Sequence, residues 1–287
     1  MERNFTTIDN NYIKGNNTLS PNELTILTVI SMNKTVKNQY IFTLKHLLNL
    51  LGATNNPTRK IKELRQILAS FEQNNILEYY KSTIETNKTK LNISTAEKNE
   101  LIFATDNLLL EEGFTQIYDD EIINILNIKE VNTNELLALY VYIVSFINYN
   151  QQSEDYKLCF VSYDNIVDNL GLTKPTIVKY ITLLTDNNLL RCDYAGFKTI
   201  NGFKNEIMYY CRYKDEGLLI EKLNNIRKDK SITPLTSKNK NILNLKRSIK
   251  QKINRLKKKE EDNIITNIEI EKLKQLEEEY KTLKMER

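Results

Sequence analysis

Residues 162–190 read Ser162-Tyr163-Asp164-Asn165-Ile166-Val167-Asp168-Asn169-Leu170-Gly171-Leu172-Thr173-Lys174-Pro175-Thr176 and on through Ile177-Val178-Lys179-Tyr180-Ile181 to Asn188-Leu189-Leu190. Ser162 can cap a helix over 163–170, and Asp164 sits in its first turn, where the helix dipole favours an anion. Gly171 stops that helix, since glycine tolerates a positive φ. Thr173 then caps a second helix reaching about residue 186, with Pro175 in the first turn, where its missing N–H costs nothing. Ile177, Ile181 and Leu184, spaced four and three, make one buried stripe. The segment therefore reads as helix, tight turn, helix. An apolar run at 158–161 suits a strand before it; a strand at 189–194, a turn region at 196–202 and a Tyr-rich strand at 207–213 follow.

The same phrases occur earlier in the chain. Phe5-Thr6-Thr7-Ile8 returns as Phe114-Thr115-Gln116-Ile117, and Asn22-Glu23-Leu24 as Asn134-Glu135-Leu136. Leu51-Gly52-Ala53-Thr54 returns as Leu170-Gly171-Leu172-Thr173, Pro57-Thr58 as Pro175-Thr176, and Asn74-Asn75-Ile76-Leu77 as Asn187-Asn188-Leu189-Leu190. Single matches are cheap in a chain rich in Asn, Leu and Thr, but five in one order at offsets of 109 to 119 imply a duplicated domain of about a hundred residues. In the first copy Ser20, Pro21 and Glu23 are placed for a capping box on a helix reaching about residue 32. A strand at 40–42, a helix capped by Thr43 and ending at Leu51-Gly52, and a helix over 57–73 capped by Asn56 follow. Ile61, Leu64, Leu68 and Phe71 are the buried stripe of that last helix. A hairpin then leaves at 76–80, has a polar tip at 86–90 and returns at 101–104.

Composition narrows the function. Seven Gly and four Pro in 287 residues are too few for the turns of a sandwich, barrel or propeller. The longest uncharged apolar run, 136–147, is too short to span a bilayer, and no apolar run near Met1 reads as a secretory signal. The expectation is a cytoplasmic protein with no membrane partner. His46 is the only histidine, with no nucleophile pattern beside it, and Cys159, Cys192 and Cys211 are too widely spaced for a zinc site of usual pattern. Three cysteines suit a reducing compartment. Neither a P-loop nor a G-x-G-x-x-G is present. The reading is a protein that is not an enzyme, with no catalytic residue, metal or cofactor.

Charge is concentrated at the end. From Lys238 to Arg287 there are 15 basic and 9 acidic residues, leaving 26 against 28 in the preceding 237. The densest cluster, Lys246, Arg247, Lys250, Lys252, Arg255 and Lys257 to Lys259, reads either as a solvated helix face or as a phosphate-contacting segment. A helix over 216–230 and a break at 231–237 precede it. Ile242, Leu245, Ile249, Ile253 and Leu256, then Leu273, Leu276, Tyr280 and Leu283, recur at threes and fours. These segments suit a helical hairpin, an oligomerising coil or a charged, partly disordered helix; self-association, giving a homo-oligomer through the tail, is the favoured expectation.

Helix, strand, helix, helix, strand, turn, strand resembles winged-helix domains, whose hairpin is the wing. The expected fold is thus mainly α with small β-hairpins (α+β): a winged-helix domain over 1–105, a linker and lead-in over 106–133, a second winged-helix domain over 134–232, and a basic helical or coiled-coil tail over 233–287. A helix-turn-helix sets its second helix in the DNA major groove. On that basis the candidate contacts of the first copy are Thr58, Arg59, Lys60, Lys62, Arg65 and Gln66, with Lys81, Lys88 and Lys90 from the wing. Arg and Lys can donate to guanine edges or phosphates, and Gln can pair with adenine. The second copy offers Lys174, Thr176, Lys179 and Tyr180, plus Lys198 and Lys204 near its wing, but Asp164, Asp168 and Asp186 surround them.

Leu19-Ser20-Pro21-Asn22-Glu23-Leu24 with Leu50-Leu51-Gly52 resembles the first winged helix of the tandem winged-helix replication initiators of plasmids and phages in low-GC Gram-positive bacteria. The run from Val161-Ser162-Tyr163 to Asn188-Leu189-Leu190 is similar to winged helices of replication and DnaD-like proteins. The resemblance covers about residues 5–215 and does not include the basic tail. It implies sequence-specific binding of double-stranded DNA at repeated origin sites, opening of nearby duplex and recruitment of host replication proteins. The alternatives are a transcription regulator or plasmid-partition adaptor that multimerises through the tail, and a scaffold that uses its winged helices as protein docks.

Overall fold

The computed structural model describes residues 3–35, 39–52, 57–82, 89–106, 113–129, 131–200, 203–228, 232–233, 237–262 and 264–285. The protein is mixed α+β, with helices and small antiparallel sheets. The first half runs β1 (Phe5–Asp9), α1 (Asn10–Lys14), α2 (Pro21–Ser31), β2 (Gln39–Phe42), α3 (Leu44–Leu50), α4 (Pro57–Gln73), β3 (Leu77–Tyr80) and β4 (Ile102–Asp106). The same order of strands and helices returns as β5 (Phe114–Tyr118), α5 (Asp119–Leu126), α6 (Thr133–Val144), β6 (Cys159–Phe160), α7 (Tyr163–Leu170), α8 (Lys174–Asp186), β7 (Leu190–Ile200) and β8 (Phe203–Arg212). After these come α9 (Glu216–Ile226), β9 (Ile232–Thr233), α10 (Ser237–Glu261) and α11 (Asn267–Met285).

Local chemistry sets the helix ends. The Ser20 N–H donates to the Glu23 carboxylate at 3.0 Å while the Glu23 N–H donates back to Ser20 Oγ, which closes the start of α2. Thr43 Oγ1 accepts from the His46 N–H, Ser162 Oγ from Asn165 and Thr173 Oγ1 from Thr176, opening α3, α7 and α8. Gly52 and Gly171 follow α3 and α7 at φ +63° and +66°. Asn75 and Asn188, the residues that stop α4 and α8, are also left-handed, at +54° and +57°. Asn is the side chain that best tolerates this region after Gly, so both halves use the same stop.

In the first half, β4 lies between β2 and β3, pairing Phe42 with Ile102 and Tyr80 with Phe103. The connection from β3 to β4 is more than a hairpin tip: Leu91, Ile93 and Ala96 are buried. In the second half the order is β6-β8-β7-β9. Strand β7 runs through most of the expected turn region 196–202, because Gly196 at φ +139° supplies a backbone conformation that other residues rarely adopt. The expected break at 231–237 contributes β9, which pairs with Phe197 and Lys198 of β7. The stretch 106–133, expected as linker and lead-in, carries β5 and α5.

Two compact units divide the chain. The first holds Met1–Asp193 and Met208–Lys222. Its centre is α2 against α6, and every α6 residue from Leu136 to Val144 is buried, as befits a helix apolar on all sides. Thr28 and Ser31 are buried in α2 because their hydroxyls donate to the Leu24 and Leu27 carbonyls, at 2.7 and 2.8 Å. Strands β1 and β5 pair antiparallel beside these helices, so the lead strands of the two halves complete each other.

The second unit holds Tyr194–Ile207 and Leu223–Arg287. Within it α10 and α11 fold back on each other, burying Ile249, Ile253, Leu273 and Leu276, with Leu256 and Tyr280 against them. Lys257 pairs with Glu277 at 2.8 Å and Lys259 with Glu269 at 2.5 Å. Among the readings of the tail, the chain adopts the helical hairpin, and this part of its apolar stripe is covered from within.

Candidate nucleic-acid interface

Leu64, Leu68 and Phe71 turn one side of α4 into the core, and the opposite side carries Arg59, Lys62, Glu63 and Gln66. Thr58, Arg59, Lys60, Lys62 and Gln66 are exposed. Glu63 lies in the middle of this face: Arg59 Nε and Lys60 Nζ donate to its two oxygens at 2.8 and 2.9 Å. Lys60 first, then Arg59, holds its carboxyl below the usual range. Arg59 is 80% exposed, so this pair is a weak, solvent-screened one that an anion can displace. Sequence reasoning passed over Glu63, although its spacing of three and four from Lys60 and Arg59 signals the pairing.

Arg65 is placed differently from its neighbours. It follows Ile61 by four residues, beside the buried stripe, and its Nη2 donates to the Ala96 carbonyl. Arg65 therefore ties the 91–96 segment, whose Leu91, Ile93 and Ala96 are buried, to α4 from the flank of the helix. Lys62, Arg65, Gln66, Ser70, Gln73 and Ser94 edge an open groove of about 320 Å³. On the hairpin side Lys81 and Lys90 edge a second, more polar groove of about 610 Å³ with Asn92, Thr95 and Asn99. Lys90 lies 3.6 Å from Glu78, and Lys81 lies 4.0 Å from Glu100. Lys88 falls outside the described residues.

The outer face of α8 is less basic. Lys174 pairs with Asp164 at 2.5 Å, both largely exposed. Thr176 is half-buried, with its Oγ1 2.8 Å from Thr173 Oγ1. Lys179 is exposed and joins no ion pair among the described residues. Tyr180, expected among the contacts, is 5% exposed; its hydroxyl donates to Glu135 Oε2 at 2.8 Å and so anchors α8 on α6. Burial, reinforced by that carboxylate, pushes its phenol up to about 12. Outward positions instead hold Val178, 47% exposed, and Thr182. Their distance from the Ile177 and Ile181 stripe on a 3.6-residue helix is the signal that locates them. Lys198 and Lys204 lie on β7 and β8, and their side chains are outside the described residues.

His46 is exposed on α3 and pairs with no nucleophile among the described contacts. All three cysteines are free; burial pushes the Cys211 thiol up to about 12 and Cys159 higher still. Among the described residues no group of three or more His, Cys, Asp or Glu could hold a metal ion, and no helix is long and apolar enough to cross a membrane. What the arrangement can do chemically is present positive and amide groups from two exposed helices and one hairpin. No protein-family model matches the chain, and a search of curated proteins finds no match either.

Proposed function

We propose that the chain is a sequence-specific binder of double-stranded DNA, built as two tandem winged-helix domains with a helical tail, and acting in the cytoplasm as a plasmid or phage replication initiator. The observation that carries the reading is the outer face of α4. Helix α4, the helix after α3 and its left-handed stop at Gly52, presents Arg59, Lys62 and Gln66 outward, beside a hairpin bearing Lys81 and Lys90. The initiator role rests on the resemblance of the 19–24 and 50–52 segments to that family and of the 161–190 segment to winged helices of replication and DnaD-like proteins. Phosphate contacts set affinity and base edges set sequence, so the work is binding and needs no catalytic group. Homo-oligomerisation belongs to the proposal through the outer faces of α10 and α11, because Ile249, Ile253, Leu273 and Leu276 are covered within the chain.

Gel shifts of the full chain on DNA flanking its own gene, at two salt concentrations, test the reading. Affinity falls steeply with salt if phosphates are engaged. A flat response, or unchanged affinity for the Arg59→Ala, Lys62→Ala double variant, contradicts it. A minimal plasmid carrying the gene and its flank separates replication from regulation or partition.

A further inference from the structure

Two contacts between equivalent residues reveal how the halves are related. Thr7 and Gln116 occupy the same place in the repeated Phe-Thr-x-Ile phrase, and they stand directly opposite each other at the centre of the β1–β5 ladder. The flanking pairs exchange in the same way: Phe5 faces Tyr118 as Asp9 faces Phe114, and Thr6 faces Ile117 as Ile8 faces Thr115. Asn22 and Asn134 occupy the same place in the repeated Asn-Glu-Leu phrase, and Asn134 Nδ2 donates to Asn22 Oδ1 at 2.9 Å between α2 and α6. A position meets its own equivalent only on an axis that exchanges the two halves; a translation would set it against a different position. One such point on the ribbon and another on the helix pair mark a two-fold line through the first unit. Helix α3 packs on α2 and α4 as α7 packs on α6 and α8, the arrangement expected if the same rotation relates the two pairs.

We propose that one chain reads an inverted pair of unlike half-sites, one by α4 and one by α8, and not a tandem direct repeat. The inference rests on the DNA-binding reading above. Duplex DNA has two-fold axes across its helix, and a protein with its own two-fold aligns with one of them when the two readers address opposite strands. The half-sites differ because the readers do. Helix α4 turns out Arg59, Lys62 and Gln66, suited to guanine and adenine edges, whereas α8 turns out Val178, Lys179 and Thr182, suited to thymine methyls and a phosphate.

The test uses the full chain and a duplex selected from random sequence for binding to it. Asn49 and Asp168, exposed equivalents at the ends of α3 and α7, are replaced one at a time (Asn49→Cys, Asp168→Cys) in a Cys192→Ser background and linked to a DNA-cleaving iron chelate. The expected result is two cleavage patterns that are mirror images, on opposite strands about a common centre. Cleavage on the same strand with the same offset overturns the inversion and leaves DNA binding intact. Failure of the unlabelled chain to retain any duplex overturns the DNA reading itself. Hydroxyl-radical footprints of the unaltered chain give the same decision without substitution: protection symmetric about one centre supports the inverted arrangement, and two protections of one polarity reject it.

Discussion

Arg212, the last residue of β8, donates from Nη1 to Glu121 in the first turn of α5, 91 residues away in sequence, and both side chains are less than a tenth exposed. The same guanidinium donates to the Gln116 carbonyl of β5 and, at 3.0 Å, to the Tyr149 hydroxyl. One side chain thus joins the second hairpin to the ribbon and to α5. Removing one partner of a buried pair leaves the other charge unsatisfied. Arg212→Met should lower stability by about 3–5 kcal/mol, read as a fall in the urea midpoint. A midpoint that does not move would show that the pair contributes nothing to the fold.

Asn75 and Asn188 should respond alike. Alanine at either has to adopt the left-handed conformation and should cost about 1–2 kcal/mol, whereas glycine should be neutral within a few tenths or stabilising. Thermal melts of the four variants check this; an alanine as stable as the glycine would mean that the stop is set by packing alone.

Arg65 and Arg59 should separate cleanly. Arg65→Ala breaks the bond to the Ala96 carbonyl and should lower stability by about 1–3 kcal/mol. Arg59→Ala, at an exposed position, should change stability by no more than about 0.5 kcal/mol and, on the proposed function, weaken DNA binding. Reversed outcomes would exchange the roles assigned to the two residues.

Tyr180 gives a pH signature. Its folded phenol is raised to about 12, above the ordinary value of about 10 in an unfolded chain. The folded state therefore holds its proton longer, and the stability this provides is complete below pH 10 and lost as pH rises towards 12. Tyr180→Phe should make the alkaline fall in stability shallower by up to about 1.4 kcal/mol per pH unit. Denaturant midpoints at pH 9, 10 and 11 measure the slope, and an identical slope in the variant would place the hydroxyl in water.

The tail hairpin should depend on its own small core. Leu273→Asp puts a carboxylate among Ile249, Ile253 and Leu276 and should unfold α10 and α11 together, seen as lost helical ellipticity. Sedimentation of the chain ended after Thr236 then tells whether the outer faces of the hairpin associate.

What the sequence revealed was local. Ser20 with Glu23, Thr43, Ser162 and Thr173 place helix starts through side chains that reach only three residues on, so their roles were legible. The glycine stops were legible for the same reason. Pairing over distance was not: Phe5-Thr6-Thr7-Ile8 was recognisable as a repeated phrase, yet nothing in it names residues 114–118 as its partner. Nor could the pattern show that Ile232 and Thr233 add a strand beside Gly196, or that Arg65 lies over buried Ala96. At the candidate interface, periodicity located the exposed side of α4 correctly but missed Glu63 and misplaced Tyr180, whose hydroxyl is held by Glu135 on another helix.

The bond between Asn22 and Asn134 joins halves that are encoded separately within one gene. In an assembly of identical subunits every mutation arrives twice, mirrored about the axis, so its two ends cannot drift apart. Here a change at Lys62 on the outer face of α4 has no enforced echo on α8, whose residues are encoded separately. Selection can retune one end while the other stays fixed, and asymmetry becomes a heritable property of a single polypeptide.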